Sequence, residues 1–126
     1  MTKVLIADDK ETSRELIRTV LESLGHEVRE ASDGREAVRC AKEMPPDLII
    51  LDLHMPHLDG FGALAELRGD QGLAAIPVMA LTASAMQGDR ERALTAGFDS
   101  YVTKPISLAR LREEITRLID RSDIRT

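Results

Sequence analysis

The sequence predicts an α/β domain, a doubly wound parallel sheet of five strands with five helices over its two faces. Three observations predict it. Short apolar runs alternate along the chain with longer segments whose apolar residues recur at helical spacing. The strongest runs, VLIA, LIIL and PVMAL, are apolar throughout, as strands buried on both faces require. Strands separated by helices pair in parallel through right-handed crossovers, which set helices on both sides of the sheet.

Each element follows from its residues. Val4 to Ala7 is an apolar run ended by Asp8 and Asp9, a first strand. Leu16, Ile17, Val20, Leu21 and Leu24 then recur as a helical stripe. Thr12 with Glu15 offers a capping box for that helix, and Gly25 its C′ residue. His26 to Ala31 reads as a weaker second strand. Asp33 with Glu36 makes a capping box for a helix carrying Ala37, Val38 and Ala41, which Pro45 and Pro46 end. Leu48 to Leu51 is the third strand, and Phe61, Leu64 and Leu67 mark the third helix. Pro77 to Leu81 is the fourth strand, and Ser100 to Val102 begins the fifth. Between these two, Gln87 to Ala96 should be helical, yet only Ala93 and Leu94 are clearly apolar, which predicts a loosely docked helix. The last helix takes Ser107 as N-cap and carries Leu108, Leu111, Ile115, Leu118 and Ile119 on one stripe, with Arg121 to Thr126 as a frayed tail.

Composition excludes several functions. At 126 residues the chain suits one domain. Aromatic residues are 2% of it and the net charge is −5, so base stacking and the basic footprint of a nucleic-acid binder are both missing. Cys40 is the single cysteine, which rules out an internal disulfide and fits a reducing compartment, where it reads as a small buried thiol on a helix. No apolar run approaches the ~20 residues of a membrane span and no signal peptide follows Met1, which predicts a cytoplasmic location.

In an open parallel sheet, ligands sit beyond the carboxyl ends of the strands, where strand order reverses. The strand ends carry Asp8 and Asp9, then Asp52, Thr82 and Lys104. Three carboxylates gathered there repel unless a cation joins them or some protonate. All-oxygen ligands favour a hard ion such as Mg²⁺. The lysine adds a second positive charge and the threonine a neutral donor, which together describe a pocket for a tetrahedral dianion. No glycine-rich phosphate loop is present, so a phosphoryl group carried on one of the carboxylates fits better than a bound nucleotide. The segment LDLHMPHLDG, Leu51 to Gly60, raises zinc as a rival, with two aspartates and two histidines close together.

Four ordered motifs carry a family resemblance: ADD at Ala7 to Asp9, D-x-x-M-P-x-x-D-G at Asp52 to Gly60, ALTA at Ala80 to Ala83, and Lys104-Pro105. The chain resembles the receiver domains of response regulators in two-component signalling, over residues 3 to 120. The run from Thr82 to Ser107 is especially similar to stand-alone receivers of the DivK type and to receivers of hybrid kinases. Chemotaxis receivers of this family are themselves examples of the switch-point rule used above.

The resemblance implies a flavodoxin-like receiver fold with strand order 2-1-3-4-5, a receiver domain over 1–121, a short tail over 122–126 and no effector domain. It implies that Asp52 accepts a phosphoryl group from a partner histidine. Asp9, Asp52 and the backbone carbonyl of His54 would bind Mg²⁺, with Asp8 acting through water; Mn²⁺ is an alternative ion. Lys104 and Thr82 would contact phosphoryl oxygens, Tyr101 would move inward as a switch, and the Lys104-Pro105 bond would be cis. His54 and Ser84 occupy the two variable positions that tune phosphoryl lifetime in this family. An imidazole at His54 can screen attacking water or relay a proton, and these have opposite signs. His57 is expected on the surface without a ligand role, and Met55-Pro56 and Asp59-Gly60 in shaping the loop and starting the next helix.

The implied partners are a histidine kinase or a histidine phosphotransfer protein, and a downstream target protein. The target would meet the face of the fourth helix, fifth strand and fifth helix, around Met86, Tyr101 and Ser107. A monomer with dimerisation on phosphorylation, and no classical enzyme activity, complete the expectation. The start at Met1 leans toward a free-standing protein, with a receiver excised from a hybrid kinase, a phosphate sink or a phosphorelay intermediate as the alternative. A haloacid-dehalogenase-type phosphatase would carry a second aspartate two residues after Asp52, where His54 stands. A flavodoxin-like electron carrier would need ring-stacking aromatics, and a scaffold with a dead phosphosite would not need the intact set of five polar residues.

Overall fold

The structure, a computed structural model, describes residues 2–83 and 87–125, apart from the side chains of Gln87, Asp89 and 121–125. Strands and helices alternate as β1 (Lys3–Ala7), α1 (Glu11–Ser23), β2 (Glu27–Ala31), α2 (Gly34–Glu43), β3 (Leu48–Asp52), α3 (Gly60–Arg68), β4 (Val78–Thr82), α4 (Gln87–Ala96), β5 (Ser100–Thr103) and α5 (Leu108–Arg125). The strands form one parallel sheet in the order β2-β1-β3-β4-β5. The predicted architecture and strand order are both present.

Burial explains the strand sequences. All five residues of β3 and of β4 are buried, because these inner strands carry helices on both faces. The weaker pattern of β2 belongs to an edge strand, which has one neighbour and a half-exposed surface. Alternate residues of the inner strands feed two cores. Leu5, Ile49, Leu51, Val78 and Ala80 pack with Ala37, Ala63, Leu64, Leu67 and Ala93 of α2, α3 and α4. Val4, Ile6, Ile50, Met79 and Leu81 pack with Ile17, Leu21, Leu111, Ile115 and Leu118 of α1 and α5. Aliphatic side chains build most of both cores, with Phe98 buried among them in the first.

Several local expectations are corrected. The Thr12–Glu15 capping box does not form: α1 starts at Glu11 after an N-cap Lys10 that makes no side-chain cap bond. The chain must turn at once on leaving β1, and Asp8 supports that turn instead, its Oδ1 accepting the Lys10 N–H at 2.9 Å. Leu16, Leu24 and Leu108 are exposed, at 40%, 38% and 43%. The core-facing stripes are therefore narrower than the apolar pattern, since α1 and α5 each cover one face of a five-stranded sheet and meet no other layer outside. Cys40 is only half-buried. Past Arg121, where a tail was expected, the backbone continues as helix to Arg125, there being no Gly or Pro in 121–125 to stop it.

Other signals hold. Asp33 caps α2 by accepting the Glu36 N–H, and Asp59 caps α3 by accepting the Gly62 N–H. Ser107 takes the cap position of α5, with its Oγ 3.4 Å from the Arg110 nitrogen. Gly25 follows the end of α1 at φ +87°, a conformation that glycine adopts without a steric penalty. In α4, Ala93 is buried and Leu94 is exposed, in keeping with its sparse apolar pattern.

Candidate functional site

Sheet order decides where the polar residues meet. β1 lies between β2 and β3, so the crossovers from it diverge to opposite sides and leave a crevice at its carboxyl end. Asp8 and Asp9 follow β1, Asp52 ends β3, Thr82 ends β4, and Lys104 follows β5. Side-chain oxygens of Asp8, Asp9 and Asp52 lie within 4.8 Å of one another. Asp8 and Asp52 are buried, at 0% and 4% exposure, while Asp9 faces solvent.

The charges are partly balanced by one residue. The Lys104 ammonium lies 3.0 Å from Asp8 Oδ2 and 3.3 Å from Asp52 Oδ2. Burial would by itself lower the pKa of Lys104, but the two carboxylates outweigh it and hold the ammonium above its ordinary value. Asp52 is shifted up: burial is the main cause and the charge of Asp8 adds to it. The His54 N–H, which donates to Asp52 Oδ1 at 3.2 Å, and Lys104 oppose the shift. One ammonium for three carboxylates leaves a net negative pocket with only oxygen donors, which suits a hard divalent cation. The zinc reading does not survive, since His54 and His57 are exposed and among the described residues the clustered ligand set contains no histidine.

The remaining residues fall around this centre. Thr82 is buried at 1% exposure, and its backbone carbonyl accepts the Lys104 N–H at 2.7 Å, so the ends of β4 and β5 are locked together beside Asp52. The Lys104-Pro105 peptide bond is cis. Gly60 backs against the site so closely that a Cβ there would lie 2.5 Å from the Asp52 carbonyl oxygen. His57 is exposed with φ +68°. Ser84 and Met86 lie outside the described residues.

Tyr101 is half-buried on β5, and its ring is flanked by two guanidiniums, Arg90 at 5.2 Å and Arg110 at 5.5 Å. Neither arginine was singled out from the sequence, because no local pattern shows that α4 and α5 converge on one ring. Arg14 was missed as well. Its guanidinium donates to the Asp8 carbonyl at 2.7 Å and to Glu30 at 3.2 Å. An arginine in the first turns of a helix that starts beside an acidic pair was the available signal.

The comparisons agree with this arrangement. The family model described as the response regulator receiver domain matches residues 4–116. The polar-differentiation response regulator DivK of Brucella ovis is 41% identical over 116 residues, 91% of this chain and 94% of the relative. The receiver domain of Francisella response regulator 1452 superposes with a TM-score of 0.89 at 34% identity, over 97% of this chain and 99% of that one. The receiver domain of sensor histidine kinase PA1611 from Pseudomonas aeruginosa PAO1 gives a TM-score of 0.87 at 38% identity, covering 94% of this chain and 98% of that one. Its crystal structure holds a magnesium ion coordinated in the active-site cleft. With its fold, its acidic crevice and these relatives in agreement, the chain belongs to the response-regulator receiver family of two-component systems.

Proposed function

We propose that this protein is a single-domain response regulator that takes a phosphoryl group from a histidine kinase or histidine phosphotransfer protein onto Asp52. The observation that carries the reading is a buried carboxylate at the end of a central strand, clustered with two further carboxylates and sharing the Lys104 ammonium with one of them, Asp8. Asp9, Asp52 and the His54 carbonyl are the proposed Mg²⁺ ligands, with Asp8 acting through water; Mn²⁺ shares the preference for oxygen and can substitute. The ion supplies positive charge to the phosphoryl oxygens when bound.

The protein's own groups do the rest. One Asp52 oxygen forms a bond to phosphorus as the P–N bond of the phosphohistidine breaks, and that electron pair returns to the imidazole nitrogen. Lys104, already between Asp8 and Asp52, pairs with one phosphoryl oxygen, and the Thr82 hydroxyl donates to another. Drawing Thr82 toward the phosphoryl group opens room for Tyr101 to leave its two arginines and turn inward. The altered surface of α4, β5 and α5 then meets a downstream target protein, or a second copy of the chain. The reading places the protein in the cytoplasm; among the described residues no helix is long and apolar enough to cross a membrane. His54 and Ser84 set the phosphoryl lifetime.

Incubation with Mg²⁺ and acetyl phosphate tests the reading by intact mass. One added phosphoryl group that disappears in Asp52→Asn is expected. No adduct in the wild type, or an adduct that persists in Asp52→Asn, overturns it. Continuous turnover of the donor far beyond the lifetime of a phosphorylated form would instead mark an enzyme.

A further inference from the structure

We infer that Arg14 is a positioning residue that aims the Asp8–Asp9 carboxylates, and that it does so through the Asp8 carbonyl rather than by touching the cation or the phosphoryl group. The inference rests on the Mg²⁺ site proposed above and adds a residue that no motif of that site contains.

Asp8 is held at every polar position. Its backbone N–H donates to the Ala31 carbonyl at 3.2 Å, its Oδ1 accepts from the Lys10 N–H at 2.9 Å and its Oδ2 from Lys104 at 3.0 Å. Its carbonyl accepts from Arg14 Nη1 at 2.7 Å. Asp9 is different. Its carboxylate is exposed, and among the described residues no hydrogen bond or ion pair holds it. Its aim is therefore inherited from the peptide that joins it to Asp8, and that peptide carries the carbonyl which Arg14 grips.

The grip is itself braced. Arg14 Nε donates to Glu30 Oε1 at 3.2 Å, and Arg18 Nη1 to Glu30 Oε2 at 2.8 Å, so both oxygens of a β2 carboxylate are engaged by consecutive turns of α1. Arg14 is mostly buried, with 18% of its side chain exposed, which favours a fixed fork over a mobile surface pair. A guanidinium can make both contacts at once because its donors are coplanar and fixed, whereas an ammonium presents a single nitrogen to them.

Charge and positioning predict opposite signs, which makes the inference testable. A guanidinium beside a cation site repels the cation, so by charge alone its removal tightens Mg²⁺ binding. If Arg14 positions the loop, its removal weakens binding, and changes behind metal ligands typically cost about 10–100-fold in affinity. Isothermal titration of the metal-free protein with MgCl₂, for the wild type, Arg14→Met and Arg14→Lys, decides between them. The expected result is roughly tenfold weaker binding for Arg14→Met and a smaller loss for Arg14→Lys, which keeps the charge but not the fork. Saturating Mg²⁺ should restore phosphorylation by acetyl phosphate in both. Arg14→Met binding as tightly as the wild type, or more tightly, overturns the inference while leaving the site intact. A wild type that binds no Mg²⁺ overturns both. Should Arg14→Met fail to fold by circular dichroism, Arg14→Lys carries the test, and wild-type affinity in it overturns the positioning role.

Discussion

The Lys104 ammonium lies 3.3 Å from the carboxylate of Asp52, across β4 from it, and is shared with Asp8 at 3.0 Å. Removing one partner from such a cluster leaves buried charge uncompensated. Lys104→Met should destabilise the metal-free protein by about 2 kcal/mol, less than a fully buried pair because Lys104 keeps some contact with water. Mg²⁺ should narrow the gap. Urea unfolding with and without MgCl₂ measures both, and equal stability of variant and wild type without the ion would count against the lysine as the site's counter-charge.

Asp52→Asn should stabilise the metal-free protein at neutral pH. The Asp52 pKa is raised in the fold, chiefly by burial, so the folded state binds its proton more tightly than the unfolded chain does. Its contribution is complete below the unfolded pKa and is lost as pH rises through the folded one. At neutral pH the ionised carboxylate therefore works against folding, and a neutral amide relieves it. A rise in Tm of a few degrees, the effect of about 1 kcal/mol in a domain of this size, is expected. Added Mg²⁺ should reverse the order if Asp52 is the metal ligand proposed above, because only the wild type keeps that carboxylate.

Glu114 gives the opposite slope. The Arg117 hydrogen bond, and secondarily that from Ser100, hold its pKa below the ordinary value against the effect of partial burial. A depressed carboxylate contributes stability above its unfolded pKa and loses it as pH falls through the folded pKa. Acid unfolding should thus begin at higher pH in Glu114→Gln, with a loss of about 1 kcal/mol at neutral pH. A variant whose acid limb overlays that of the wild type would show that the pair contributes nothing.

Two glycines should respond in opposite directions. In Gly60→Ala the new Cβ would sit 2.5 Å from the Asp52 carbonyl oxygen and 2.9 Å from the Leu53 Cα, both backbone atoms that cannot swing aside. A loss of about 2–3 kcal/mol, with weaker Mg²⁺ binding as Asp52 shifts, is expected. At Gly88, in α4, a Cβ meets nothing within 4 Å. Gly88→Ala should gain about 0.5–1 kcal/mol. Thermal melts of both variants check the pair.

His54→Ala should change the dephosphorylation rate and leave Mg²⁺ affinity within about twofold, because the proposed ligand is a main-chain oxygen and the imidazole is exposed. Decay of the phosphorylated protein, followed by intact mass, reads the first effect. An unchanged lifetime removes the side chain from that role.

Much of this was readable along the chain because it is local. Asp33, Asp59 and Ser107 cap the helices they precede, since a cap needs only its own next three residues. The apolar runs of β3 and β4 announce burial on both faces, and the ends of the runs name Asp8, Asp9, Asp52, Thr82 and Lys104. Local signals mislead where they compete: Thr12 and Glu15 have the spacing of a capping box, but the turn out of β1 starts the helix before Thr12 can serve. Leu16 and Leu108 satisfy a helical period and still face water, because a period does not say how wide a strip the sheet will cover.

The order of residues along the chain settled which side chains stand at strand ends, since strand termini follow from hydrophobic runs and breakers. It could not say that Lys104 bridges residues 96 and 52 positions away, that Arg90 and Arg110 close on one ring, or that Arg14 grips the Asp8 carbonyl. Those contacts exist only once strand order and helix packing bring distant segments within a few ångströms, where electrostatic and hydrogen-bond energies, which fall off steeply with distance, begin to act.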